Sequence, residues 1–201
     1  MLTTLIRRWR YGEPVTIVSG LPRSGTSMLM NMLDAGGMPI LADAVRAADT
    51  DNPRGYFEFE RVKSLGTDPD RRWVREARGK ALKVISHLLK ELPPDNQYRI
   101  VFALRNLDEV VRSQNTMLGR RGEPNPVDDA KALDLYRKHL VNVKVLARTR
   151  PNFSFLEVDY AATVADPAAS ARRIAEFLGG TLDQARMVAA VDAALYRNRG
   201  P

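Results

Sequence analysis

The stretch Val15 to Leu33, VTIVSGLPRSGTSMLMNML, constrains the fold more than any other part of the chain. Val15–Ser19 is a short apolar run ended by Gly20, the pattern of a buried strand. From Ser24 to about Ala35, Met28, Leu29, Met32 and Leu33 fall on one helical stripe, and Gly36-Gly37 stops it. A glycine-rich turn, bounded by Gly20 and Gly25, joins the two. At such a strand–turn–helix junction backbone N–H groups and the helix dipole converge on one point and favour an anion there.

The rest of the chain repeats the alternation. Ala81–Ile85 and Arg99–Leu104 predict two further strands, and the alternating Phe153–Val158 predicts a fourth. A helix is expected over Asn106–Leu118, with Asp108 and Glu109 complementing its N-terminal dipole. Residues 128–148 place Leu133, Tyr136, Leu140, Val143 and Ala147 on one helical face. Asp166-Pro167 opens a helix through Leu178 that Gly179-Gly180 ends, and a last helix is expected over about Leu182–Leu195. Strands separated by helices imply an α/β fold, a central parallel sheet flanked by helices. Two stretches read as loops, Asp49–Phe57 and Gly119–Asp128, the second carrying Arg120 and Arg121. Neither is long or polar enough to link domains, so residues 1–201 read as a single domain.

Charge narrows the partners. Thirty-one Lys and Arg against 24 Asp and Glu give +7, which favours a nucleotide, a nucleic acid, an acidic peptide or a membrane surface. No nucleic-acid motif is present, and few aromatics (7%) are available to stack bases. The lack of cysteine excludes disulfides, thiolate metal sites and cysteine nucleophiles. Two histidines, His87 and His139, cannot build a multi-histidine metal site. Met1–Arg10 is too short for a signal-peptide core and no run approaches a membrane span, so a cytoplasmic protein is expected.

The spacing from Gly20 to Gly25 matches a Walker A loop, but Thr26-Ser27 follows where that loop has lysine and a hydroxyl residue. The nearest cation is Arg23, inside the turn. A donor without a γ-phosphate tolerates that change better than ATP hydrolysis or kinase chemistry does. The strand ending in Leu104 runs into Arg105-Asn106, where a Walker B strand would end in an acidic residue for magnesium. Ser113 lies eight residues after Arg105, about 12 Å along a helix, so an arginine folding back could share one phosphate with its hydroxyl.

Together these segments resemble the sulfotransferases that use 3′-phosphoadenosine 5′-phosphosulfate (PAPS). LPRSGTSML is similar to their 5′-phosphosulfate loop in its arginine version, found in tyrosylprotein and many bacterial members. ALRNLDEVVRS is similar to their 3′-phosphate segment, and FLEVDYAATVADPAASARRIAEFLG to their late strand, turn and helix. The resemblance covers roughly residues 14–180. It implies a three-layer P-loop-like fold, in-line transfer to a hydroxyl or amine of a small-molecule or peptide acceptor, release of 3′,5′-ADP, and no metal. Carried over, Arg23, Ser24, Gly25, Thr26 and Ser27 hold the 5′-phosphosulfate, and Arg105 and Ser113 the 3′-phosphate. Arg197 and Arg199 loosely echo a C-terminal basic segment that helps hold the donor.

Transfer also needs a base and a cation over the developing charge. Lys83, inside an apolar strand, suits the cation role. Members with a catalytic histidine carry it two residues after that lysine; here Ile85 stands there, and His87 is two residues further. Arginine-loop members use a glutamate; DNPRGYFEFE offers Glu58 and Glu60, of which Glu58 follows Gly-Tyr-Phe and is favoured, with Asp43 a further candidate by its distance from the loop. Two other classes stay open at this point: a P-loop nucleoside or small-molecule kinase, and a non-catalytic nucleotide-binding protein.

Overall fold

The computed structural model of the chain describes residues 11–43, 55, 57–125 and 127–196. Its sheet has four parallel strands, β1 (Val15–Gly20), β2 (Ala81–Lys83), β3 (Tyr98–Leu104) and β4 (Phe153–Asp159), in the order β2-β1-β3-β4. All six residues of β1 are buried, because that strand has a neighbour on each side and helices over both faces. Side chains alternate between two cores. Val15 and Ile17 join Tyr98, Ile100 and Phe102 on one face, while Val18 joins Val101 and Ala103 on the other.

The first face is covered by short 3-10 helices at Glu60–Ser64, Arg72–Ala77 and Ser86–Glu91, together with the long α3 (Asp129–Thr149), whose Val143 reaches the core. The second is covered by α1 (Thr26–Ala35), α5 (Pro167–Leu178) and α6 (Gln184–Ala189), through Leu29, Met32, Ile174 and Met187 among others. The helix α2 (Leu107–Arg121) follows β3, and the short α4 (Tyr160–Ala165) follows β4. The expected α/β architecture with a helix-flanked parallel sheet is therefore the one observed. No helix among the described residues is long and apolar enough to cross a membrane.

Several boundaries differ from expectation, each for a local reason. β2 stops at Lys83, although Val84 N–H still donates to Val18 at 3.0 Å. α1 begins at Thr26 rather than Ser24, because the Ser24 amide and hydroxyl both bind the Leu21 carbonyl inside the turn. α2 passes through Gly119 and ends only at Gly122, which takes the left-handed conformation (φ 67°). The loop expected from Gly119 thus starts three residues later. The single terminal helix is broken in two: α6 ends at Ala189, and Asp192 caps a separate 3-10 turn at Ala193–Leu195 by accepting from Ala194 N–H. Most of the Asp49–Phe57 loop lies outside the described residues.

The strand order positions the site. From β1 the chain crosses to β2 on one side and then to β3 on the other, so the order reverses between β1 and β3. In open parallel sheets the crevice at the carboxyl ends of such strands is where ligands bind. Gly20 ends β1 there and Arg105 follows β3 there.

Candidate active site

Close packing around the backbone dictates the glycines of the turn after β1. A Cβ on Gly20 would sit 2.4 Å from Ser24 Oγ and 2.9 Å from the Ala103 carbonyl oxygen on β3. Gly25 has φ 102°, and a Cβ there would lie 2.4 Å from the Tyr160 ring. Arg23 also has positive φ, 66°, a conformation that costs a non-glycine residue energy and so needs external support. Two contacts supply it. Its own Nε donates to Ser113 Oγ at 3.0 Å, and Arg105 Nη1 donates to its carbonyl at 3.2 Å.

The turn delivers an uncapped helix. Gly25 offers no side-chain cap to α1, and no acidic residue sits in its first turn. By contrast α2, α3, α4, α5 and α6 are capped by Asn106, Asp128, Asp159, Asp166 and Asp183. The cap position therefore offers no side-chain acceptor to the first N–H groups of α1, and its dipole points at the same place.

That place is a cavity of about 390 Å³. Arg23, Lys83, Glu58, Arg105 and Tyr160 all line it, with Gly25, Thr26 and Ser27. Lys83, half-buried at the end of β2, donates from Nζ to Ser27 Oγ at 3.2 Å. Arg105 is held more elaborately. Its Nε pairs with Glu109 Oε2 at 2.9 Å, both side chains being less than a tenth exposed. Its guanidinium carbon lies 4.6 Å from the Tyr160 ring centroid and 5.3 Å from that of Tyr196. Tyr196 in turn donates its hydroxyl to Glu109 Oε1 at 2.8 Å. Burial pushes the Tyr160 hydroxyl above its ordinary value; desolvation and the bond to Glu109 do the same for Tyr196. Both hydroxyls stay protonated at neutral pH.

Residues 41–184 match the model of the sulfotransferase family. The chain belongs to that family. The matched stretch includes Glu58, Lys83, Arg105 and Ser113 and starts after the Gly20–Ser27 turn. Solved structures agree on the fold of this sulfotransferase. The sulfotransferase domain of the Synechococcus PCC 7002 olefin synthase superposes with a TM-score of 0.55 at 20% identity, over 92% of this chain and 86% of that one. A Mycobacterium avium sulfotransferase gives 0.50 at 19%, over 87% and 67%. A mouse sulfotransferase complexed with PAP gives 0.51 at 17%, over 92% and 65%. Comparison with curated proteins gives no match.

Most of the residues expected for the sulfotransferase site are brought together. Arg23, Gly25, Thr26, Ser27, Lys83, Glu58 and Arg105 share the cavity. Ser24 is buried beneath the turn it shapes, and Ser113 is buried behind it. One expected pairing is different: Arg105 folds back onto Glu109, one helical turn on, and it is Arg23 that reaches Ser113. Asp43 is not among the lining residues. Its carboxylate accepts from Glu60 N–H at 2.6 Å and its own N–H donates to the Glu58 carbonyl at 2.9 Å, so it braces the turn that carries Glu58. Phe57, with φ 51°, sets the backbone just before Glu58. His87 is exposed and does not line the cavity, whereas Ile85 does. Arg197 and Arg199 lie outside the described residues. Among the described residues no group of three or more histidine, aspartate or glutamate side chains is placed to hold a metal ion.

Sequence reasoning missed Glu109, Tyr160 and Tyr196 as site residues. Glu109 carried a signal, its position four residues after Arg105 on one helical face. Tyr196 carried none, since 87 positions separate it from Glu109.

Proposed function

We propose that this sulfotransferase takes its sulfonate from PAPS and passes it in line to a hydroxyl (or amine) of a small-molecule or peptide acceptor. The observation that carries the reading is the junction after β1. There an uncapped helix N-terminus, a turn that only glycine permits, and the cations Arg23 and Lys83 open on one cavity with Glu58. A donor bound there supplies an activated sulfonate, whose bond to the 5′-phosphate breaks as the acceptor oxygen bonds to sulfur, with 3′,5′-ADP leaving.

The chain's own groups fit the remaining tasks. N–H groups at the start of α1 and the Arg23 guanidinium hold the phosphosulfate, while Ser24 fixes the turn through the Leu21 carbonyl. Lys83, beside Ser27, neutralises charge growing on the bridging oxygen. Glu58 accepts the acceptor's proton. Arg105 contacts the 3′-phosphate, and Ser113 acts through Arg23. We assign these roles to residues 1–201 acting as one domain, because both cores share one sheet.

The test is thermal stabilisation by 3′,5′-ADP in EDTA, compared with ATP plus magnesium and with an oligonucleotide. Stabilisation by 3′,5′-ADP without metal supports the proposal. Tight Mg-ATP binding without response to 3′,5′-ADP replaces it with a kinase.

A further inference from the structure

The cavity extends beyond the turn and its cations along α2. Ser113 on that helix reaches Arg23, and Gln114, Met117 and Arg121 follow at intervals of three and four residues, so they lie on one helical stripe. From Ser113 to Arg121 the stripe covers about 12 Å. Its middle is apolar. Met117 and Met28 line the cavity, and so does Ile85, which is 37% exposed and is the one exposed large hydrophobic among the described residues to do so. Methionine adapts to irregular apolar ligands, and an exposed isoleucine on a cavity wall is a surface that a ligand can cover.

The far end is cationic. Four basic side chains line the cavity, and three are engaged: Arg23 with Ser113, Lys83 with Ser27, and Arg105 with Glu109. The Arg121 side chain has no hydrogen-bond or ion-pair partner among the described residues. It is exposed at the last position of α2, about 12 Å along the helix from Ser113. The donor's phosphates and sulfonate account for the cations near the turn; Arg121 is a surplus positive charge on the opposite side of an apolar wall.

We infer that the acceptor is an amphiphilic anion: a hydroxyl presented to Glu58 and Lys83, an apolar body covering Ile85 and Met117, and an anionic group at Arg121. The inference rests on the donor and base assignments proposed above. It names what the acceptor must carry besides the reacting hydroxyl.

Three phenols of similar length and different distal charge test it: para-hydroxyphenylpropionate, its methyl ester and tyramine. In the wild-type protein kcat/KM falls from the anion through the neutral ester to the cation. The anion exceeds the cation by roughly tenfold at low ionic strength and by less as salt screens the contact. Arg121→Glu, at an exposed position whose folding a thermal melt checks, inverts the order. A wild-type preference for tyramine, or an order that Arg121→Glu leaves unchanged, overturns the inference while sulfonation itself still proceeds. If 3′,5′-ADP fails to stabilise the wild-type protein and none of the three phenols is sulfonated, the donor assignment falls and this inference falls with it.

Discussion

Arg23 Nε donates to Ser113 Oγ at 3.0 Å, tying the turn after β1 to the helix after β3 across 90 positions of sequence. The hydroxyl is buried, so the contact fixes one edge of the guanidinium while the residue still lines the cavity. A guanidinium held in advance loses less freedom when it meets an anion, which is how preorganised stabilisation becomes effective.

Arg23→Ala should therefore damage both donor affinity and turnover, by about 10²–10³ in rate. Glu58→Gln should leave 3′,5′-ADP affinity nearly intact while turnover falls about 10²–10⁴-fold. His87→Gln should change little, since His87 is exposed and away from the cavity wall. Steady-state kinetics with a fixed acceptor, alongside calorimetric 3′,5′-ADP titration, separate the three. Loss of transfer in His87→Gln with Glu58→Gln active would reverse the base assignment.

Arg105→Ala should weaken 3′,5′-ADP by tenfold to more than a hundredfold, from a charge-assisted contact of about 1.5–3 kcal/mol. Adenosine 5′-phosphosulfate, which lacks the 3′-phosphate, should be weakened far less. The comparison is best repeated in Arg105→Ala combined with Glu109→Ala, so that no unpaired carboxylate remains. Equal weakening of both ligands would remove Arg105 from the 3′-phosphate.

Glu109→Gln should destabilise the protein without any ligand present. The Arg105–Glu109 pair is buried, and taking one partner from such a pair costs about 3–5 kcal/mol. Tyr196→Phe removes the hydroxyl bond to the Glu109 carboxylate and keeps the ring beside Arg105, so it should cost less, about 1.5–3 kcal/mol. Urea unfolding of both variants gives the ranking; equal stability would mean that Glu109 does not hold Arg105 in solution.

Acidification should reveal His139. Burial, with His87 nearby, lowers its pKa below the ordinary 6.5, and its Nε2 lies 2.8 Å from Ser86 Oγ. The unfolded chain then takes up this proton first as pH falls. The contribution to stability is complete above about 6.5 and is lost as pH drops through the lower folded value. Thermal melts at neutral and mildly acidic pH should show a larger loss in wild type than in His139→Gln.

The turn after β1 was legible because its constraints are local. A turn that needs glycine at 20 and 25, between an apolar run and an amphipathic helix, can be read from consecutive residues. Lys83 was legible because a lysine within ALKVI requires a reason. Asp43 was selected by its distance along the chain, but its carboxylate is used by the backbone of Glu60, a contact that distance does not encode. The Arg105–Glu109–Tyr196 arrangement depends on where the segment after α6 returns, and the helix expected there is interrupted by Asp192 acting as a cap. The 3-10 helices over the first core face have no sustained period, so no apolar pattern announced them.

The parallel sheet also decides when in folding the site can exist. Arg23 and Arg105 stand 82 positions apart, and they meet only when β1 and β3 have paired along their whole ladder. Closing a chain segment of that length costs on the order of 4 kcal/mol of loop entropy before any pairing offsets it. Non-local parallel pairing of this kind slows folding. No partly folded chain lacking the β1–β3 ladder can present both arginines, so an anion held by the two would report that ladder. A ligand of that crevice should act as a brake on unfolding and leave the folding rate almost untouched, wherever the crevice is absent from the transition state.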